Sequence, residues 1–217
     1  MECELIIFDC DGVLLDSEMI SCAADANAYC SIGYHTTAEE MAFRFAGVPD
    51  DDIDTILSAE MGRVLPLDFR SKIKSKILLK YRSELEAIEG VEETLSQLKI
   101  KKCVASSSAP SKLALGLVET GIFELLYPHI FSAKLVAKGK PHPDIFLYAA
   151  KQMGVTPDKC LVIEDSVAGV NAASAAGMRS IGFIGGSHCS ESQSERLIEA
   201  GASVIVSEFK SILNHIF

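Results

Sequence analysis

The chain has 217 residues, 48% of them hydrophobic, and a formal net charge of −10. That length supports one substantial core with a small second lobe. The acidic balance argues against nucleic acid or an anionic membrane as partner: the longest basic-rich segment, residues 70–82, is interleaved with Ile73, Ile77, Leu78 and Leu79 and reads as a solvated helix face. The seven cysteines include no Cys-x-x-Cys, so neither a disulfide framework nor a zinc ribbon is expected. Met1-Glu2-Cys3-Glu4 lacks the basic region of a secretory signal, and no apolar run approaches the roughly 20 residues of a membrane span. These features predict a cytoplasmic protein.

In chain order, Leu5-Ile6-Ile7-Phe8 predicts a first strand. Residues 16–87 then read as a helical lobe without strands. Pro49 followed by Asp50, Asp51 and Asp52 opens one of its helices, with acids at the positive end and a stripe of Ile53, Ile56, Leu57 and Met61. Phe69, Ile73, Ile77, Tyr81 and Leu85 mark a second at four-residue spacing. Short apolar runs then alternate with helical patterns: strands at 102–105, 129–133, 160–163, 179–184 and 203–206, helices at 111–120, 144–153, 167–176, 192–200 and 208–217. Runs without strict alternation, separated by helices, indicate a parallel sheet covered on both faces. The expected architecture is α/β: a Rossmann-like core of residues 1–15 and 88–217, with an all-helical cap of residues 16–87 inserted after the first strand.

The polar residues fall at the carboxyl ends of these strands. The first runs into Asp9-Cys10-Asp11-Gly12, the second into Ser106-Ser107-Ser108, and the fourth into Glu164-Asp165-Ser166. Ligands bind at that edge of an open parallel sheet. Four carboxylates converging there call for a cation, and oxygen-only ligands favour Mg²⁺. A carboxylate at the strand end, Asp9, is a competent nucleophile on phosphorus. Asp11, two residues on, can protonate a leaving oxygen and later deprotonate water. A serine among Ser106, Ser107 and Ser108 can donate hydrogen bonds to a phosphate, and Lys138 or Lys140 can supply positive charge.

Asp9-Cys10-Asp11-Gly12-Val13-Leu14, Ser106, Lys140-Pro141 and Glu164-Asp165-Ser166-Val167-Ala168-Gly169 together resemble the four ordered motifs of the haloacid dehalogenase-like hydrolase superfamily, and most closely its β-phosphoglucomutase-like phosphatase branch. The resemblance implies that Asp9 is the phosphorylated nucleophile and Asp11 the acid/base, with Ser106 and Lys140 binding phosphate. It implies Mg²⁺ held by Asp9, the Asp11 carbonyl and Asp165, with Glu164 acting directly or through water. Ser107 and the cap residue Arg44 are further candidates for substrate binding.

Two departures separate the chain from a mutase of that branch. The cap-side histidine of β-phosphoglucomutase is matched by Ser21, and Asp50 follows Gly47-Val48-Pro49 where that enzyme presents an arginine. Hydrolysis is therefore expected over phosphosugar isomerisation. Residues 44–48 and 83–90 resemble bacterial 6-phosphogluconate phosphatases, which suggests a sugar phosphate or sugar-acid phosphate substrate. From another class, a receiver-type signalling module also places carboxylates, a hydroxyl residue and a lysine at strand ends, but in a smaller uncapped domain. A monomer is expected, since a cap must open and close.

Overall fold

The computed structural model describes residues 3–45 and 48–216. Ala46 and Gly47 of the 44–48 segment, Met1-Glu2 and the final Phe217 lie outside the described residues. Six strands form one sheet, β1 (Leu5–Phe8), β2 (Lys101–Ser106), β3 (Ile130–Ser132), β4 (Cys160–Glu164), β5 (Arg179–Phe183) and β6 (Val204–Val206), in the order β3-β2-β1-β4-β5-β6. Every neighbouring pair is parallel. The chain steps outward from β1 to β3, returns to β4 on the other side of β1, and steps outward again. The strand order therefore reverses beside β1, and such a switch point opens a crevice at the carboxyl ends.

The sheet is central because its strands are apolar on both faces. In β1, Ile6 and Phe8 point to one side and join Val104, Ile163, Ile181, Phe183 and Phe209. Leu5 and Ile7 point to the other and join Cys103, Ala105, Val162 and the helix α8 (Asp144–Met153) through Ile145, Phe146 and Ala149. The remaining covering helices are α5 (Val91–Gln97), α6 (Pro110–Glu119), α7 (Phe123–Leu126), α9 (Val167–Ala175) and α10 (Glu191–Ala200). The closing helix expected from 208 onward is present as a 3₁₀ helix, Phe209–His215. It is anchored by Phe209, stacked on Phe8 at 5.7 Å, and by Ile212.

Between β1 and α5 lie four helices, α1 (Glu18–Ser31), α2 (Ala38–Phe45), α3 (Asp50–Met61) and α4 (Phe69–Glu84). Tyr29 packs edge-on to Phe69 at 5.0 Å within a cluster that includes Met41, Phe45, Ile53, Leu57, Ile73 and Ile77. Here the reading of residues 70–82 as a solvated face needs correction. Lys72, Lys74 and Lys80 are exposed, but the Arg70 side chain is 13% exposed and is bonded to Asp25 at 2.6 Å and to Asp54. Arg70 faces inward because α1 and α3 bring acids to it, which charge patterning along α4 alone does not reveal. The two connections of this insert meet: Ile88 donates to the Leu14 carbonyl and Asp16 to the Glu86 carbonyl, both at 3.0 Å, and Leu15 bridges Ala87.

Because β1 carries the switch point and is buried on both faces, we expect Ile7→Ala to cost about 2–5 kcal/mol. Urea unfolding should show a lower midpoint with an unchanged slope.

Candidate active site

Asp9 follows β1 directly, and its amide donates to the Ile163 carbonyl at 3.0 Å, which ties it to β4 at the switch point. Glu164 ends β4 and Asp165 follows. Ligand atoms of Asp9, Glu164 and Asp165 lie within 4.8 Å of one another, and all three residues are buried. Lys140 enters from the loop ahead of α8. Its ammonium lies 2.5 Å from Asp9 Oδ1, 2.5 Å from Glu164 Oε1 and 3.1 Å from the Ala105 carbonyl, above the Phe146 ring at 4.9 Å. Burial pulls the Lys140 pKa down, but Asp9 and Glu164 more than reverse this, so the lysine stays charged. Burial pushes the Asp9 carboxyl well above its usual range, and Glu164 and Asp165 add to the shift against Lys140.

His188 lies 2.9 Å from Asp165 Oδ2. Burial disfavours its charged form, but the bond to Asp165 outweighs that and raises its pKa to about 11. Three carboxyl groups face one ammonium and one imidazolium, so ionising Asp9 leaves a formal negative charge, and a phosphate ester brings up to two more. Hard oxygen donors with that surplus fit a divalent cation such as Mg²⁺. The nearby backbone leaves them room. Gly12 has φ +79°, and a Cβ there would lie 2.0 Å from Asp165 Oδ2; a Cβ on Gly169 would lie 1.9 Å from the Glu164 carboxyl carbon. Both oxygens of Glu164 are already engaged, Oε1 by Lys140 and Oε2 by the Ser166 hydroxyl at 2.9 Å and amide at 3.1 Å. Its immediate effect is to hold Lys140.

The carboxylate of Asp11 does not join this group. Its side chain turns to Ser17 Oγ at 2.6 Å, Ser108 Oγ at 2.5 Å, Lys112 Nζ at 3.0 Å and the Tyr81 hydroxyl at 3.2 Å. Burial alone would raise its pKa, but Lys112 and the Ser108 and Ser17 hydroxyls overcome it and hold the carboxyl at about 2.

Ser106 ends β2, buried, and its hydroxyl accepts from the Ser108 amide at 3.0 Å. Ser106, Ser107 and Lys140 line the same cavity as Asp9 and Asp11, with a volume of about 600 Å³ between the sheet edge and the helical insert. Arg44 is the exception. It does not line that cavity; its guanidinium donates to the Tyr34 hydroxyl at 2.6 Å and pairs with Glu60. This geometry lends no support to a substrate role for Arg44, because Tyr34 and Glu60 already engage its guanidinium.

Ser17, Tyr81, Lys112 and His188 were not legible as site residues, and Ser108, weighed only as a phosphate donor, instead holds Asp11. Lys112 and Tyr81 sit on helices whose sequence shows only amphipathic spacing, and His188 has no metal-ligand spacing to any other histidine. A faint signal existed for His188, which follows Gly185-Gly186 beyond β5, at the same sheet edge. A Cβ on Gly186 would lie 2.8 Å from the His188 ring and 3.0 Å from the Gly12 carbonyl. That pair is thus a close approach as well as a turn.

The chain is similar to several known proteins. A 6-phosphogluconate phosphatase of Escherichia coli strain K12 is 32% identical over 186 residues, covering 85% of this chain and 84% of that protein. A phosphorylated carbohydrates phosphatase of Thermotoga maritima is 32% identical over 214 residues, covering 97% of each. Among solved structures, a haloacid dehalogenase-like protein of Agrobacterium tumefaciens superposes with a TM-score of 0.90 at 40% identity, covering 99% of this chain and 97% of the other. Residues 3–177 match the family described as haloacid dehalogenase-like hydrolases. With that match spanning most of its length, the chain belongs to the haloacid dehalogenase-like hydrolase family.

Proposed function

We propose that this protein is a Mg²⁺-dependent phosphomonoester hydrolase that forms an aspartyl-phosphate on Asp9. Its substrate would be a small phosphorylated carbohydrate, a class that spans sugar phosphates and sugar-acid phosphates such as 6-phosphogluconate. The observation that carries this reading is the meeting of Asp9, Glu164 and Asp165 within 4.8 Å at the sheet's switch point, with Lys140 bonded to two of them. The names of the relatives support the carbohydrate class. We further read the chain as a cytoplasmic monomer, whose insert, with residues 16–87 as its limits, moves against a core of residues 1–15 and 88–217.

In this reading Asp9 and Asp165 hold the cation with the Asp11 carbonyl, and Glu164 keeps Lys140 charged and in place. When bound, Mg²⁺ screens the carboxylates from the incoming phosphate and withdraws charge from its oxygens. Asp9 attacks phosphorus as the bond to the ester oxygen breaks, and Asp11, which takes up a solvent proton once it leaves Lys112, delivers that proton to the ester oxygen. Water then attacks the aspartyl-phosphate, Asp11 takes the water proton, and inorganic phosphate leaves with Asp9 restored. Ser106, Ser107 and Lys140 hold the phosphoryl oxygens. For either proton transfer Asp11 must let go of Lys112 and the hydroxyls that hold it. Since Tyr81 lies on α4 and Ser17 directly precedes α1, movement of the insert loosens that hold.

A panel of phosphomonoesters should release phosphate steadily with Mg²⁺ and stop with chelator, and Asp9→Asn should abolish turnover while circular dichroism stays unchanged. Wild-type-like turnover in that variant sinks the nucleophile assignment, and one phosphorylation per chain without steady release would instead indicate a receiver-type module.

Lys112→Met removes the cation that offsets burial of Asp11, so the Asp11 pKa should rise from about 2 to above its ordinary 3.8. A depressed carboxyl pKa stabilises the fold above the unfolded value and ceases to as pH falls through the folded one. The native protein should therefore lose about 2 kcal/mol between pH ~4 and ~2, a loss that Lys112→Met should not show. Carboxyl chemical shifts followed through an acid titration, alongside urea unfolding, measure both effects.

A further inference from the structure

The cavity has two unlike walls. On the sheet side, two lysines serve the reacting centre, Lys140 on Asp9 and Glu164, and Lys112 on Asp11. On the insert side the lining includes the acids Glu18, Asp25, Asp50 and Asp51 and a single cation, Lys74. Lys74 is bonded to Asp50 at 3.3 Å, and Arg70 pairs with Asp25 and with Asp50 at 3.6 Å, which leaves Glu18 and Asp51 as the lining acids of the insert without a cationic partner among the described residues. The arginines that could have faced a second anion are turned elsewhere, Arg70 onto Asp25 and Asp54, and Arg44 onto Glu60 and Tyr34. Between the acids the wall is apolar, with Met41, Phe45, Ile53 and Ile77 in the lining. Ser21, also in the lining, has a buried hydroxyl without a hydrogen-bond partner among the described residues.

Ionised carboxylates only accept hydrogen bonds, so a ligand that satisfies this wall must donate. Hydroxyl groups on a carbon chain do so, and they can also pair with Ser21. A carboxylate or second phosphate brings acceptors and negative charge to a surface already rich in both. We propose that the insert wall selects a phosphate monoester whose leaving group is an uncharged, hydroxyl-bearing chain, and that it disfavours esters ending in a second anion. This rests on the phosphatase reading and narrows it within the carbohydrate class. Burial raises the pKa of Asp25 to about 6 and of Glu18 to about 7, Asp25 against the pull of Arg70 and Glu18 with help from Asp11, so these two gain their charge as pH rises through neutrality. Lys134, exposed at the sheet-side margin, is the one lining lysine without a carboxylate partner among the described residues.

A matched pair isolates the charge: D-glucitol 6-phosphate and D-gluconate 6-phosphate differ only in a terminal CH₂OH against a carboxylate. With Mg²⁺ at about pH 8, above the raised values of Glu18 and Asp25, kcat/KM for the glucitol ester should exceed that for the gluconate ester about tenfold or more. Asp50→Asn and Asp51→Asn should each narrow the ratio by roughly threefold, and added salt should narrow it too. Equal or better turnover of the gluconate ester overturns the proposal. If Lys134→Ala then removes that turnover, the carboxylate is received at the margin instead. A ratio unmoved by both asparagine variants overturns it as well, as does inertness of the glucitol ester while p-nitrophenyl phosphate is hydrolysed. If p-nitrophenyl phosphate is inert with Mg²⁺, the phosphatase reading itself fails, and the two failures are thereby told apart.

Discussion

Buried negative charge at one point of the sheet governs the arrangement of everything around it. Asp9 and the Glu164-Asp165 pair are adjacent because β1 and β4 are hydrogen-bonded neighbours, so their repulsion is built into the topology. Isolated buried carboxylates are costly, and the fold meets that cost with groups from distant stretches. Lys140 arrives ahead of α8, and His188 from beyond β5. Ser166 caps α9 by accepting from the Gly169 amide while its own hydroxyl donates to Glu164. The residual charge makes the site receptive to a divalent cation and, through it, to a phosphate.

Asp11 joins this centre to the helical insert. Its carboxylate takes hydrogen bonds from Ser108 and an ion pair from Lys112 on the core, and hydrogen bonds from Tyr81 on α4 and Ser17 just before α1. The carboxyl proposed to move protons is thereby held as an anion by partners on both sides of the connection. Such a group is poised rather than active, and the insert's position sets how tightly it is held. Gly116 shows how close that junction is, since a Cβ there would lie 2.7 Å from Leu15 Cδ1.

The insert has its own electrostatic logic. Arg70 neutralises part of the charge on Asp25, Asp50 and Asp54, which holds α1, α3 and α4 together around a buried ionic knot. Engaging that arginine internally leaves the cavity wall acidic. The same residues that stabilise the helices therefore shape what the site can accept.

The primary structure by itself determined the alternation of strands and helices, the insertion after the first strand, and the carboxylates at the strand ends. All of these are local: runs of apolar residues, a proline before acids, and motifs whose members sit side by side, as in Asp9-Cys10-Asp11-Gly12 and Glu164-Asp165-Ser166. Short helices such as α2, α5 and α7 left weaker traces, because their stability comes from packing rather than propensity. Only the tertiary structure decided which cations meet which acids. Lys112 and Tyr81 carry no mark of function in their own segments and His188 only the preceding glycine pair, and Arg44 and Arg70 look alike on their helices. Their roles follow from which carboxylates lie within a few ångströms, a distance set by helix packing across tens of residues.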